Sequence, residues 1–303
     1  MPEQIFSILI ATKNRKADLL LTLEKIKFLF EQENVSCTVY DDGSNDGTYN
    51  AVKQNFPEIE LKRNEISKGY IFCRNQMLNE TTADYAISLD DDSHFISDNP
   101  LYFIQKHFSE NPNCGLIAFR IFWGLKAPEH TSSQSKSFPV NGFVGCGHVW
   151  RMESWRQIPN YPEWFIFYSE EEFAAKQLFH NGIAMDYLPE VLVHHRVDVK
   201  SRKKQGDYTK RLRNSLRNGW FLYFLFDPLQ AIPRKMAYSI WMQVKLKVIK
   251  GDWKAASALT LAFLDLIIAI PKVIKNRKPF SLQQYRKFQQ IEKVPVYWQP
   301  ESD

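Results

Sequence analysis

The 303-residue sequence predicts an α/β protein: a mostly parallel central sheet flanked by helices, then a helical C-terminal extension. Three observations carry that prediction. Apolar runs of strand length alternate with helix-patterned segments over about the first 200 residues, as βαβ units require. Polar clusters at 12–15, 41–44 and 90–92 each follow directly on an apolar run. Open α/β sheets bind ligands beyond the carboxyl ends of their strands, where these clusters fall. Past about residue 208 the alternation stops, and the chain turns helical, aromatic and basic.

Each element rests on its own pattern. Residues 5–11 (IFSILIA) are a continuous apolar strand closed by a polar turn at 12–15. Residues 18–30 set Leu19, Leu23, Ile26 and Phe30 on one helical face. A second strand at 37–40 ends in Asp41-Asp42-Gly43-Ser44, and Asp46-Gly47-Thr48 opens a helix over 48–55. A strand at 58–63, a helix at 69–79 and a strand at 85–89 lead to Asp90, Asp91 and Asp92. A helix at 100–108 and a strand at 115–122 follow. Residues 124–140 are polar and turn-rich, and read as a loop over a site. A helix at 169–181 opens on Glu170, Glu171 and Glu172, whose charges suit a helix N-terminus, and Gly182 stops it. Strands at 183–187 and 191–194 lead to His194 and His195. The division expected is an α/β domain at 1–205 and a basic, amphipathic helical region at 206–303.

Hydrophobic residues make up 44% of the chain and charged residues 24%, which sustains a packed core and excludes long disorder. The start, MPEQIFSILIATKNR, has no basic stretch followed by a long apolar one, so no secretory signal is expected. Cys37, Cys73, Cys114 and Cys146 stand more than 30 residues apart. That spacing argues against a zinc site or disulfide framework and for reduced thiols in the cytoplasm. The net charge of +5 is uneven: residues 1–195 carry −9 and residues 196–287 carry +16. A basic surface can meet nucleic acid, phospholipid or an anionic substrate, and no nucleic-acid reader motif accompanies this one.

Asp90-Asp91-Asp92 reads either as a solvated turn or as a D-x-D clamp for Mg²⁺ or Mn²⁺, hard cations that take oxygen ligands. Alternation along extended chain lets only some of the three reach one ion. Asp41 and Asp42 are either a turn or acceptors for a base N–H and ribose hydroxyls. Lys68, Arg74 and Asn75 are either a plain helix start or braces of that pocket. Before the three glutamates stands Trp164-Phe165-Ile166-Phe167-Tyr168. Apolar rings desolvate a carboxylate, which raises its pKa and suits it to general-base work. His194 or His195 could add an imidazole to the same cation; the alternative is a satisfied structural histidine.

In this order and at these separations, the Thr–x–Asn–Arg turn, DDGS, KG…RN, LDDD and the EEE helix ending at Gly182 resemble family 2 glycosyltransferases of the GT-A fold. The stretch GIAMDYLPEVLVHHRV resembles the closing segment of many bacterial members, so the likeness covers about residues 5–200. It implies an inverting transfer of a sugar from a nucleotide-diphosphate donor, UDP-sugar foremost, to an acceptor hydroxyl, with Mn²⁺ or Mg²⁺ as cofactor. It implies that Thr12, Arg15, Asp41 and Asp42 line the nucleotide site, with Lys68, Arg74, Asp90 and Asp91 beside them. Asp92 would hold the metal, aided by His194 or His195, and Glu171 would be the base. The family usually carries Glu-Asp there, so three glutamates leave the register open by one. Gly145-Cys146-Gly147-His148 reads equally as a turn or as a close approach of backbone to the sugar. Trp123, Trp150, Trp155 and Trp164 read as core residues or as stacking faces.

The basic region mixes Lys and Arg with large apolar residues. Its longest apolar stretch, 255–270, has 16 residues and includes Asp265, short of the about 20 that a membrane span needs. Amphipathic helices on an anionic membrane fit better; a bundle packed on the first domain is the alternative. The partners expected are the donor, a glycan or lipid-linked acceptor of cell-surface polysaccharide or glycolipid synthesis, and the cytoplasmic face of a membrane, without nucleic acid. Two other functions compete. A silent sugar-nucleotide or glycan-binding module would not need carboxylates at both metal and base positions. A sugar-1-phosphate nucleotidyltransferase would want a glycine-rich loop where residues 11–15 have no glycine.

Overall fold

The computed structural model describes residues 4–197 and 206–300. Its strands are β1 (Phe6–Thr12), β2 (Val35–Asp41), β3 (Glu60–Arg63), β4 (Tyr85–Asp90), β5 (Ser93–Phe95), β6 (Cys114–Trp123), β7 (Phe138–Pro139), β8 (Gly147–Arg151) and β9 (Ala184–His195). Its α-helices are α1 (Lys16–Phe30), α2 (Thr48–Asn55), α3 (Tyr70–Glu80), α4 (Pro100–Glu110), α5 (Met152–Trp155), α6 (Glu170–His180), α7 (Tyr208–Phe226), α8 (Ile232–Leu246), α9 (Trp253–Lys275) and α10 (Leu282–Gln290). One sheet runs in the order β3-β2-β1-β4-β8-β6-β9-β5, with β7 paired to β9.

Strands covered on both faces must be apolar throughout, and β1 is buried along its whole length. Alternate side chains divide between the two faces: Ile8 and Ile10 pack with Leu19, Leu23 and Ile104, while Leu9 and Ala11 pack with Ile71, Leu78 and Trp220. The parallel register sets Thr12 beside Asp41 and Ala11 beside Asp90, so the first three polar clusters reach one edge of the sheet.

The sheet is more mixed than the βαβ reading implies. Pairings β1–β2, β1–β4, β2–β3 and β6–β9 are parallel; β4–β8, β6–β8, β5–β9 and β7–β9 are antiparallel. The strand β8 hides in the sequence because it opens on Gly147 within a run that reads as a turn. The two short strands expected at 183–187 and 191–194 are one strand, β9. Its pairing with β6 steps from Leu188 to Leu192, and the residues passed over include Pro189, which has no N–H for a ladder.

The C-terminal helices pack on the first domain, the alternative the sequence offered, and leave one apolar face uncovered. Trp220, Phe221, Leu225 and Phe226 of α7 share a core with Phe165 and Phe173. Helix α9 lies on α7 through Ala255, Ala258, Ala262, Leu266 and Val273, and Arg213 holds the Asp265 carboxylate with two bonds of 2.7 and 2.5 Å. Helix α9 runs 23 residues and is long and apolar enough, by length and composition, to cross a membrane, unlike the 16-residue stretch read from sequence. Its other face leaves Phe263, Leu264, Ile267, Ile268 and Ile274 exposed, Ile268 by 78%. After α10 the chain returns to the sheet, where Trp298 N donates to Ile121 O and Val140 bridges Glu292.

Candidate active site

Asp90, Asp91 and Asp92 leave the end of β4 in three directions. Asp90 accepts from Tyr70 Oη at 2.6 Å and Arg74 Nη2 at 2.9 Å. Asp91 accepts from Thr12 Oγ1 at 2.8 Å and pairs with Arg15 Nε at 2.8 Å. Asp92 pairs with Arg15 Nη2 at 2.5 Å and with His195 Nε2 at 2.9 Å. Arg15, which also reaches Asp18, thus relieves the repulsion between adjacent carboxylates. Burial pushes the Asp91 carboxyl up to about 7 despite that guanidinium. Asp92 is held below the usual range: burial opposes its charge, but His195 and Arg15 outweigh it.

The second cluster divides its labour. Asp42 accepts from Asn64 Nδ2, Ser67 Oγ, Lys68 N and Gly69 N, all within 2.9 Å, so both oxygens organise the loop before α3. Burial disfavours its charge, yet these four bonds keep its pKa low. Asp41 is fully buried and accepts from Ser44 N through Oδ1. Its Oδ2 has no hydrogen-bond partner among the described residues and stands 3.5 Å from Arg63 Nε. Lys68 lays its ammonium over the Phe72 ring, 4.6 Å from the centroid, and Asn75 ties Tyr161 backbone to α3 at 2.9 and 3.0 Å.

Arg74 joins the strand-end aspartates to the glutamates. It is buried, and the same Nη2 that bonds Asp90 donates to Gly145 O at 2.6 Å. Gly145 leaves room for Glu171, since a Cβ there would meet Glu171 Oε1 unless that side chain moved. Glu170 is buried, Glu171 half-buried and Glu172 exposed. Burial raises the carboxyl pKa of both Glu170 and Glu171; Glu170 adds to the effect on Glu171, and Arg74 opposes it.

The turn that delivers these glutamates is strained. Ile166, Tyr168 and Ser169 have φ of 69°, 76° and 68°. Non-glycine residues held there cost roughly 1–3 kcal/mol each and persist only where surroundings hold them. Helix α7 supplies the hold. Asn218 Nδ2 donates to the carbonyls of Phe165, Phe167 and Tyr168 at 3.0, 2.9 and 2.9 Å, and Arg217 Nη2 to Phe165 O at 2.7 Å.

Alternation on β9 separates the two histidines. His194 bonds Gly124 O at 2.7 Å and packs on Phe122, on the side away from Asp92. His195 faces Asp92, its nitrogen within 4.8 Å of an Asp90 oxygen and the Cys146 sulfur. Burial opposes its protonation, but Cys146 and Asp92 raise its pKa to about 11. Neighbouring ligands of an octahedral cation bound at ~2.1 Å stand about 3 Å apart. The 2.9 Å between Asp92 Oδ1 and His195 Nε2 is a hydrogen-bond distance that also fits that spacing, so a bound cation would take the place of the proton the two share. Burial raises the Cys146 thiol pKa, with His195 opposing it, and sulfur does not suit a hard cation.

Of the four tryptophans, Trp150 and Trp155 are core, and Trp164 packs on Phe165 and Phe221. Trp123 alone of these adjoins the cluster, edge-on to His195 and stacked on Tyr297. Sequence reasoning missed Tyr70, whose signal is its position one turn before Arg74 on the same helix face. It also missed Asn218, for which no local signal exists.

A mixed sheet with carboxylates and an imidazole gathered at strand ends defines the class, an α/β transferase of the GT-A fold. The family model for glycosyl transferase family 2 matches residues 7–160, and the chain belongs to that family. No curated protein matches the sequence. Among solved structures, a mannosyltransferase from Pyrobaculum calidifontis, in complex with GDP-Man and Mn²⁺, is 15% identical with a TM-score of 0.55, over 95% of this chain and 79% of that one. GalNAc-T7 with UDP, GalNAc and Mn²⁺ is 12% identical with a TM-score of 0.61, over 89% of this chain and 58% of that one. S. aureus TarS residues 1–349 are 15% identical with a TM-score of 0.52, over 71% of this chain and 65% of that one. The chain therefore spans less than two thirds of the latter two.

Proposed function

We propose that the protein is an inverting glycosyltransferase that moves a sugar from a nucleotide-diphosphate donor, UDP-sugar foremost, to an acceptor hydroxyl. The observation that carries this reading is the position of Asp90. It shares Arg74 with Gly145, against which Glu171 packs, and it lies within 4.8 Å of His195. Donor-side and base-side groups thereby meet at one residue. Asp92 and His195 would hold Mn²⁺ or Mg²⁺, which when bound offsets charge on the donor diphosphate. Asp41 Oδ2, buried without a hydrogen-bond partner among the described residues, accepts a base N–H; Thr12 and Arg15 fix Asp91 and Asp92 at the nucleotide end. Glu171 takes the acceptor proton as its oxygen attacks the anomeric carbon from the face opposite the leaving group. Arg74 holds Asp90 and the 145 carbonyl so that donor and base keep their spacing. Nucleotide release from UDP-, GDP- and dTDP-sugars, measured with and without Mn²⁺ alongside calorimetric binding, tests the reading. Failure of every donor to bind overturns it; binding without turnover on any acceptor favours the silent binding module.

The acceptor is proposed to be a glycan or lipid-linked saccharide presented at the cytoplasmic face of a membrane. The support is the outer face of α8 and α9. Tyr238, Trp241, Phe263, Leu264, Ile267 and Ile268 are exposed there. The acids of residues 208–287 are Asp227, Asp252 and Asp265. Each is engaged within the protein, by Lys235, Tyr208 and Arg213 respectively, so cations and apolar groups face outward. An anionic lipid surface complements that combination.

A further inference from the structure

We infer that helix α7 completes the catalytic machinery, with Asn218 and Arg217 as positioning residues that hold the general base in place. The inference rests on the reading of Glu171 as base and adds the device that aims it. The glutamates follow a turn with three positive-φ residues, none of them glycine. Left alone, Ile166, Tyr168 and Ser169 would relax to ordinary backbone and swing the start of α6. The carbonyls of this turn are instead gathered by one amide. Asn218 is wholly buried, and its Nδ2 reaches Phe165, Phe167 and Tyr168. Its orientation is fixed in turn, because Arg217 Nε donates to Asn218 Oδ1 at 3.1 Å. The Arg217 guanidinium continues to Phe165 O and, at 3.5 Å, to Asp265 of α9.

This arrangement explains a buried polar pair in the midst of Trp220, Phe221 and Phe165, where burial lowers the Arg217 pKa despite Asp265. A helix needed only for packing would be apolar on that face. The chain of contacts runs from α9 through Asp265, Arg217 and Asn218 to the turn and thence to Glu171.

Asn218→Asp tests the inference in the full chain, because it keeps the size of the side chain and removes both N–H donors. Asp265→Asn is a milder second variant that keeps the Asn218 amide but loosens the clamp through Arg217, which orients that amide. With the nucleotide sugar that supports turnover, Asn218→Asp should lower kcat about 100-fold, the scale of an ångström misplacement. Calorimetric binding of UDP and GDP with Mn²⁺ should stay within twofold. The acid limb of the kcat profile should move toward ordinary carboxylate pH, since a released Glu171 meets water. Hydrogen exchange at amides 166–171 should quicken. Asp265→Asn should show the same changes at smaller size. An unchanged kcat and pH limb in Asn218→Asp, with Glu171→Gln inactive, overturns the clamp and leaves the base reading intact. Full turnover in Glu171→Gln overturns both. Should Asn218→Asp fail to fold, an Asp265→Asn chain with wild-type kcat and exchange overturns the clamp.

Discussion

A Cβ built on Gly145 would stand 2.2 Å from Glu171 Oε1 and 3.4 Å from Arg74 Nη1. The main chain of the segment before β8 therefore shares its space with the glutamate and the guanidinium. Gly145→Ala is expected to displace Glu171, whose carboxylate stands nearest, because Asp90 and the residue 145 carbonyl hold the buried guanidinium. Turnover should fall about 100-fold while binding of UDP or GDP with Mn²⁺ holds. A variant with more than half the wild-type kcat would show that the glutamate moves aside without consequence.

Glu171 and Glu172 should separate cleanly by substitution. Glu171→Gln removes the proposed base and should lower kcat by at least about 1000-fold. Glu172 is exposed and bonds nothing that aims the turn, so Glu172→Gln should keep near-full activity. With the Glu171 pKa raised by burial and Glu170, the group is protonated at pH values where an ordinary glutamate near 4.3 is already ionised. The kcat profile must then rise through a limb well above that value. A limb at ordinary carboxylate pH, or a dead Glu172→Gln, would shift the base to another member of the run.

The histidines predict opposite outcomes from adjacent positions. His195→Asn should abolish Mn²⁺ binding, read by electron paramagnetic resonance with UDP or GDP present, and chelation by EDTA should silence the wild type. His194→Asn should leave Mn²⁺ affinity within twofold, since its ring bonds the Gly124 carbonyl and packs on Phe122. Equal losses in the two variants would mean that neither acts by direct ligation.

Asp91 ties folding to pH. Its carboxyl is raised from 3.8 to about 7 in the folded chain, so the folded state holds its proton more tightly than the unfolded state does. Its stabilising contribution is whole below about pH 4 and is lost as pH climbs to about 7. Asp91→Asn abolishes that titration. The melting temperature of the variant relative to wild type should therefore rise across this window and level off above it. A constant difference from pH 4 to 8 would contradict the buried-carboxyl account.

Much of this was legible in the sequence, and the limits have physical causes. Thr12, Asp41 and Asp90 were readable because strand ends in a parallel sheet converge, and the registers of β1 with β2 and β4 bring them together. That His195 and not His194 faces Asp92 follows from the pleat of β9, which no local pattern states. Asp42 resembled a ligand group because an aspartate that bonds a nucleotide and one that bonds four groups of its own loop carry the same letter. Strand β8 was lost because Gly147 marks a close approach to Ile121, where a Cβ would come within 2.7 Å, rather than a turn. Asn218 was invisible because its partners lie about 50 residues away.

The outer face of the C-terminal helices leads to the last prediction. In water, exposed apolar side chains such as Ile267 and Ile268 are unfavourable, and transfer to a bilayer recovers roughly 25 cal/mol per Å². The nearby lysines, Lys245, Lys250, Lys254 and Lys275 among them, add attraction of about 1 kcal/mol each to an anionic surface, and salt weakens it. Wild-type protein should float with vesicles containing phosphatidylserine, less with pure phosphatidylcholine, and less again at 0.5 M salt. The double variant I267E/I268E buries two carboxylates where apolar groups would insert, so flotation should disappear. Those residues face away from α7, whose contacts run through Ala258, Ala262 and Leu266. Melting temperature and binding of UDP or GDP with Mn²⁺ should accordingly match wild type. Flotation that survives I267E/I268E would mean that another surface carries the contact. Wild-type protein that never floats would mean that the apolar face serves something other than lipid.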